Sequence, residues 1–260
     1  MSLGDKSTIT PADDMYVYLI SDDGLANGKA ELNKITRIPE TSRTVSLNNS
    51  MTATEIQDEI DAVGSYIPDG ATITFQFADG TYNLDSALSF QGFYGGGQIY
   101  IQGNTGETSG LHTNQSVHLN FNNSSNGIYA VNNSGISLVY IRFLRVTVQN
   151  GYSGILAQRE GHFRIYYNYV TCGNTTNGAN TALYALQGSR VIFSNNYVSN
   201  CFYGIRAHQN SIVDSTNNDD TGTQPRYGLG ATRTSVVGKN GTQPAGGIAN
   251  ETSSTGSDIR

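Results

Sequence analysis

Charge is scarce in this chain. Asp, Glu, Lys and Arg together make up 14% of its 260 residues, against 30 Gly and 16 Tyr. Disordered chains carry high charge and few aromatics, so this composition excludes simple disorder and suits a turn-rich, all-β fold. The net charge is −6 and no basic stripe exists to neutralise phosphates, which argues against nucleic acid as a partner. Long apolar runs are missing too. No stretch approaches the roughly 20 apolar residues of a membrane span, and no basic-then-apolar leader opens the chain. The expectation is a protein made and folded in a cytoplasm, without membrane insertion. Cysteine is limited to Cys172 and Cys201, which occupy similar places in successive repeats. Without an export signal, buried free thiols are favoured over a disulfide. The four histidines, His112, His118, His162 and His208, share no ligand-like spacing, so no metal and no cofactor is expected.

What the chain does have is a repeat. Gly127-Ile128-Tyr129-Ala130, Gly154-Ile155-Leu156-Ala157, Ala182-Leu183-Tyr184-Ala185, Gly204-Ile205-Arg206-Ala207 and Gly228-Leu229-Gly230-Ala231 are variants of one phrase, their second residues 27, 28, 22 and 24 positions apart. Such a period is produced by stacked supersecondary units. Displacing His162–Val170 by 28 residues lays it on Arg190–Val198, with Ile165 on Phe193, Asn168 on Asn196, Tyr169 on Tyr197 and Val170 on Val198. Alternation then puts Phe163 and Ile165 on one face and Arg164 and Tyr166 on the other. Asn tolerates a left-handed backbone and hydrogen-bonds locally, so it is expected to make the corner after each strand. Short strands, a bend after each and coils about 4.8 Å apart describe a right-handed parallel β-helix. An antiparallel sandwich is the competing arrangement, but it needs no phrase repeated in register.

Along the chain, residues 1–50 read as an N-terminal attachment segment, with a strand and turn around Tyr16–Ile20 and Ser21-Asp22-Asp23-Gly24. Residues 51–245 read as the β-helix and 246–260 as a flexible tail that is frayed or begins a further element. The one convincing helix spans 52–63. Thr52 and Glu55 have capping-box spacing, and Ile56, Ile60 and Val63 form one apolar face. Its job is to cover the open apolar end of the first coil. Gly95-Gly96-Gly97 lacks the following helix and lysine of a phosphate-binding loop and reads as a turn.

The run Ile73-Thr74-Phe75-Gln76-Phe77-Ala78-Asp79-Gly80-Thr81-Tyr82, followed by Gly92-Phe93-Tyr94-Gly95-Gly96 and Ile99-Tyr100-Ile101-Gln102-Gly103-Asn104, resembles the opening coils of pectin-lyase-like β-helices in bacteriophage and prophage tail proteins. Gly222-Thr223-Gln224-Pro225 and Gly241-Thr242-Gln243-Pro244 resemble the tail ends of those proteins, and Gly4-Asp5-Lys6 through Lys34-Ile35-Thr36 is similar to the attachment segment before them. The resemblance implies a tail fibre, tail spike or baseplate appendage. It further implies a homotrimer in a virion or prophage tail, assembled in the bacterial cytoplasm, joined to other tail proteins through its N-terminal segment and touching a bacterial surface polysaccharide. Some members of that group cleave the glycan and others only bind it.

The side chains bear on that choice. A glycoside hydrolase needs two carboxylates about 5 to 9.5 Å apart. Between Thr108 and Val213 the only acid is Glu160, a catalytic candidate that would need Asp214, Asp219 or Asp220 from another subunit as its partner. A lyase would want carboxylates around Ca²⁺ and a basic residue, yet no Lys occurs between Ile35 and Gly238. Binding asks less, because aromatic rings stack on the apolar faces of sugars while polar groups meet their hydroxyls. Tyr166, Tyr169 and Tyr197 are candidates for such stacking, or for a ring ladder that stiffens the coils. Arg164, Arg190 and Arg206 are outward or corner residues suited to an anionic glycan or simply to solvent. Both a non-enzymatic adhesive module and a polysaccharide-degrading spike remain open.

Overall fold

The structure, a computed structural model, describes residues 42–107, 115–122, 126–131, 136, 138–149, 151–159, 161–254 and 256–260. The chain winds into an all-β, right-handed parallel solenoid of about eight turns with one short helix. Each full turn visits three parallel sheets in the same order. The nine-stranded sheet begins with Arg43–Leu47, Thr72–Phe77 and Gln98–Gln102 and runs through Leu138–Arg142, His162–Tyr166, Arg190–Ser194, Ile212–Thr216 and Val236–Asn240 to Asp258–Ile259. The six-stranded sheet begins at Gly80–Leu84 and ends at Asp219–Asp220, and the seven-stranded sheet runs from Leu88–Phe90 to Ala249–Ser253. Among the described residues no helix is long and apolar enough to cross a membrane.

The repeated phrase sets the register. Ile128, Ile155, Leu183, Ile205 and Leu229 are partners on adjacent strands of the seven-stranded sheet, and Ala130, Ala157, Ala185, Ala207 and Ala231 are partners two positions on. All ten are buried. Aliphatic and alanine columns therefore line one wall of the core, while Phe163, Ile165, Val191 and Phe193 line the opposite wall from the nine-stranded sheet. Each buried Ile or Phe contributes about 1.5 to 3 kcal/mol from burial alone.

Two corners are built from buried polar ladders. After the nine-stranded sheet the left-handed position is taken by Phe143, Tyr167, Asn195 and Asn217, with φ of 59°, 58°, 52° and 49°. The residues that follow the last three, Asn168, Asn196 and Asn218, are fully buried. Asn196 Nδ2 donates to Ile165 O at 2.8 Å and to Asn218 Oδ1 at 2.9 Å, while its Oδ1 accepts from Asn168 Nδ2 at 3.0 Å and from the Asn168 main chain at 3.1 Å. The corner asparagines thus divide the expected labour: Asn195 and Asn217 bend the chain, and their successors satisfy main-chain groups inside. At the turn from the seven-stranded back to the nine-stranded sheet, Ser189, Ser211 and Ser235 are buried in the same way. Each follows a left-handed pair: Gln187-Gly188, Gln209-Asn210 or Arg233-Thr234.

Helix α1 (Ala53–Asp61) starts at the Thr52 cap, whose N–H donates to Glu55 Oε2 at 2.7 Å while Glu55 N–H donates to Thr52 Oγ1 at 3.2 Å. Ala53, Ile56 and Ile60 are buried, and α1 packs on Leu88–Phe90 and Arg43–Leu47. The first coil below it is filled by rings. Tyr82 meets Phe77 edge-on at 5.4 Å, and its hydroxyl donates to main-chain oxygens of Leu47 and Ala78. Burial, more than the Ala78 bond can offset, pushes its pKa up to about 12. Gly95-Gly96-Gly97 is a turn, with Gly97 N–H bonded to Ile67 O.

Three expectations need correction. Cys172 and Cys201 form a disulfide, with Cα atoms 4.9 Å apart. Stacking explains it, because Cys172 N–H donates to Ser199 O and the two cysteines thus flank the same rung of neighbouring coils. The solenoid also begins before residue 51, since Arg43–Leu47 pairs with Thr72–Phe77 and buries Val45 and Leu47. The attachment segment up to residue 41, with its proposed strand and turn, lies outside the described residues. The tail is not frayed either. Ala249–Ser253 pairs with Tyr227–Thr232 and Asp258–Ile259 with Val236–Asn240, because an open parallel edge offers main-chain partners to any short extended segment. There the inward columns turn polar: Leu229 faces Glu251 and Ala231 faces Ser253.

Candidate functional site

With the core on one side of every strand, the chemistry must lie in the outward columns. On the nine-stranded sheet one column reads Tyr100, Tyr140, Arg164, Ile192 and Asp214, and its neighbour reads Gln102, Arg142, Tyr166, Ser194 and Thr216. Tyr100 and Tyr140 stack at 4.3 Å with their planes 5° apart, and the Arg164 guanidinium stands 6.0 Å from the Tyr140 ring. Arg142 is held fast: Nε donates to Gln102 Oε1 at 2.8 Å, Nη1 donates to the Tyr166 hydroxyl at 2.7 Å, and the guanidinium lies 4.7 Å from the Tyr100 ring. Gln102 Nε2 donates in turn to Gln76 Oε1 at 2.8 Å. Burial, with Tyr140 alongside, raises the Tyr100 pKa. Tyr166 meets Tyr140 edge-on at 6.2 Å. This end of the face is a stiff ladder of rings and cations.

Beyond the ladder the same face opens into a shallow trough of about 530 Å³, bordered by His162, Arg164, Arg190, Ile192, Ile212 and Asp214. Ile192 and Ile212 are 36% and 49% exposed, unusual for aliphatic side chains on a sheet whose other outward positions are largely polar or aromatic. Among the described residues, Arg164 and Arg190 make no ion pair. Apolar floor and charged rim thus lie side by side.

Tyr169 and Tyr197 stand elsewhere, in register with each other on the six-stranded sheet, where the outward column reads His118, Arg145, Tyr169, Tyr197 and Asp219. Arg145 lies 5.5 Å from the Tyr169 ring, and the Tyr169 hydroxyl is 3.1 Å from Ser199 Oγ. Burial, and secondarily Arg145, lowers the His118 pKa to about 4. The corner separates this column from Arg164, Arg190 and Tyr166, so the candidate set divides between two faces.

The seven-stranded sheet carries a third group, of which only Arg206 stood out in the sequence. Its guanidinium is 4.6 Å from the Tyr203 ring and 5.4 Å from the Tyr184 ring. Tyr203 and Tyr227 lie 5.5 Å apart at 28°, and Arg226 sits 5.1 Å from the Phe202 ring. The signal in the sequence is the aromatic that precedes the last two copies of the phrase, Tyr203-Gly204 and Tyr227-Gly228, where the earlier copies have Asn126, Ser153 and Thr181.

Glu160 and His112 lie outside the described residues. Of the acids considered as its partners, Asp214 borders the trough while Asp219 and Asp220 form the last strand of the six-stranded sheet. Among the described residues no group of three or more His, Cys, Asp and Glu side chains is placed to hold a metal ion. Comparison with protein-family models, with curated proteins and with solved structures finds no match, so the functional reading rests on these faces.

Proposed function

We propose that the chain is an adhesive, structural solenoid of a phage-like tail appendage that binds a bacterial surface polysaccharide in the trough of the nine-stranded sheet. The trough carries this reading. A pyranose ring offers an apolar C–H face and a rim of hydroxyls, and Ile192 and Ile212 beside Arg164, Arg190 and Asp214 offer the complement. Rings of Tyr140 and Tyr166 continue the same face, so a polymer lying along the solenoid axis would meet aromatic rings next to a charged rim. The sequence resemblance to tail proteins supplies the setting: a homotrimer attached to other tail proteins through its N-terminal segment in a virion or prophage tail.

The test is binding of purified capsular and lipopolysaccharide-derived polysaccharides from a panel of bacteria, measured by titration calorimetry. One or more should bind, and the double change Arg164→Ala with Arg190→Ala should weaken that binding at least tenfold. Equal binding by parent and variant, or no binding across the panel, overturns the reading. Reducing ends appearing during the titration would also overturn the adhesive role and replace it by a degrading one, with Asp214 the first carboxylate to change.

A further inference from the structure

We infer that Arg206, His208 and Arg233, gathered around Thr232 on the outer face of the seven-stranded sheet, form a separate subsite for the anionic group of an acidic saccharide, a carboxylate or a sulfate.

Convergence is the first ground. Arg206 Nη2 lies 3.5 Å and His208 Nδ1 2.6 Å from Thr232 Oγ1, and Arg233 follows Thr232 directly at the exposed corner. Burial first, and then the positive charges of Arg206 and Arg233, holds the His208 pKa below its ordinary value. Among the described residues none of Arg206, Arg226 and Arg233 makes an ion pair, although the chain as a whole carries −6. Like charges brought together without counter-charges attract an anion, and guanidinium donors match the paired oxygens of a carboxylate or sulfate.

Preorganisation is the second. Arg206 is clasped between the rings of Tyr184 and Tyr203, and its one described hydrogen bond is the long one to Thr232, so most of its donors are uncommitted. The clasp depends on a missing side chain. Gly230 follows Arg206 in the outward column, and a Cβ there would come within 2.8 Å of Tyr203 Cδ1. Without that methyl the Tyr203 ring can lean over the strand against Arg206. A fixed cation needs less ordering on binding, which favours a ligand.

This subsite does not depend on the trough, and the experiment separates them. Oligogalacturonate supplies carboxylates, sulfated dextran supplies sulfates and plain dextran supplies neither; binding of each is measured by calorimetry at low salt. One or both anionic probes should bind and plain dextran should not. Arg206→Gln should weaken binding at least tenfold and Arg233→Gln at least threefold, while the double change at Arg164 and Arg190 should leave it within twofold. Arg233 is exposed at a corner, so its variant reports even if Arg206→Gln misfolds. Binding of plain dextran, failure of both anionic probes to bind, unchanged affinity in the Arg233 variant, or an equal loss from the Arg164 and Arg190 changes would overturn the subsite. The last outcome would reduce it to general charge attraction.

Discussion

Gln57 and Ser89 are bonded in both directions: Gln57 Nε2 donates to Ser89 O at 2.9 Å, and Ser89 N–H donates to Gln57 Oε1 at 2.9 Å. A side-chain amide has the donor and acceptor of a peptide group, so Gln57 stands in for the strand that Leu88–Phe90, first in its sheet, lacks on its outer side. The helix thus closes the end of the solenoid by hydrogen bonding as well as by apolar cover. Replacing Gln57 by Ala should cost about 1 to 3 kcal/mol, because a part-buried main-chain pair loses its partners. Amide hydrogen exchange should accelerate at Ser89 and stay unchanged at Leu183 and Ala185. Uniform acceleration across the sheets would contradict an edge-specific role.

The Asn ladder predicts a sharp contrast between neighbours. Asn196→Ala strips partners from Ile165 O and from the buried Asn168 amide, and should destabilise by at least about 2 kcal/mol in urea unfolding. Asn195→Gly, one residue earlier at φ 52°, should cost little or stabilise slightly, since glycine adopts that conformation freely. Similar losses at both positions would contradict the division between bending and bonding.

The disulfide closes a segment of sequence separation 29, for which loop-closure arguments give about 3.6 kcal/mol. The double change Cys172→Ser with Cys201→Ser should lower the urea midpoint accordingly. Thiol titration of the native protein should find no free thiol, and two thiols per chain would refute the pairing.

His118 gives a pH dependence. Its folded pKa of about 4 lies below the ordinary value of 6.5, so between these values the unfolded chain binds a proton that the folded chain refuses. Its contribution is therefore zero above about pH 6.5 and increasingly destabilising as pH falls to about 4, where it levels off. His118→Gln should flatten the fall in thermal midpoint across that window, while a variant as steep as the parent would exclude His118 as a source.

Much of the fold was written in one dimension. The phrase ending in Ala130, Ala157, Ala185, Ala207 and Ala231 became a column, and Thr52 with Glu55 became a cap, because both depend on spacing alone. Ser189, Ser211 and Ser235 carry an equally regular signal, repeating 22 and 24 residues apart in step with Ile205 and Leu229, but spacing alone does not tell a buried corner serine from an exposed one. The faces were harder. Whether Arg190 borders Ile212 and Asp214, or Arg206 is clasped by Tyr203, depends on how coils of unequal length align and on whether Gly230 leaves room. The thiol state turned on a single rung: Cys172 and Cys201 are 29 apart where their coils repeat at 28, and only stacking shows that this offset still brings them together.

Under tension the cross-link takes on a mechanical meaning. Coils of a solenoid are springs in series, each held to the next by hydrogen bonds that can be peeled one rung at a time. The bridge from Cys172 to Cys201 ties two consecutive coils covalently, so the 29-residue span between them cannot pay out while it is intact. A chain pulled from both ends in an oxidising buffer should thus fall short of its full contour by roughly 100 Å, at about 3.5 Å per residue. Reductant should release that hidden length in one step.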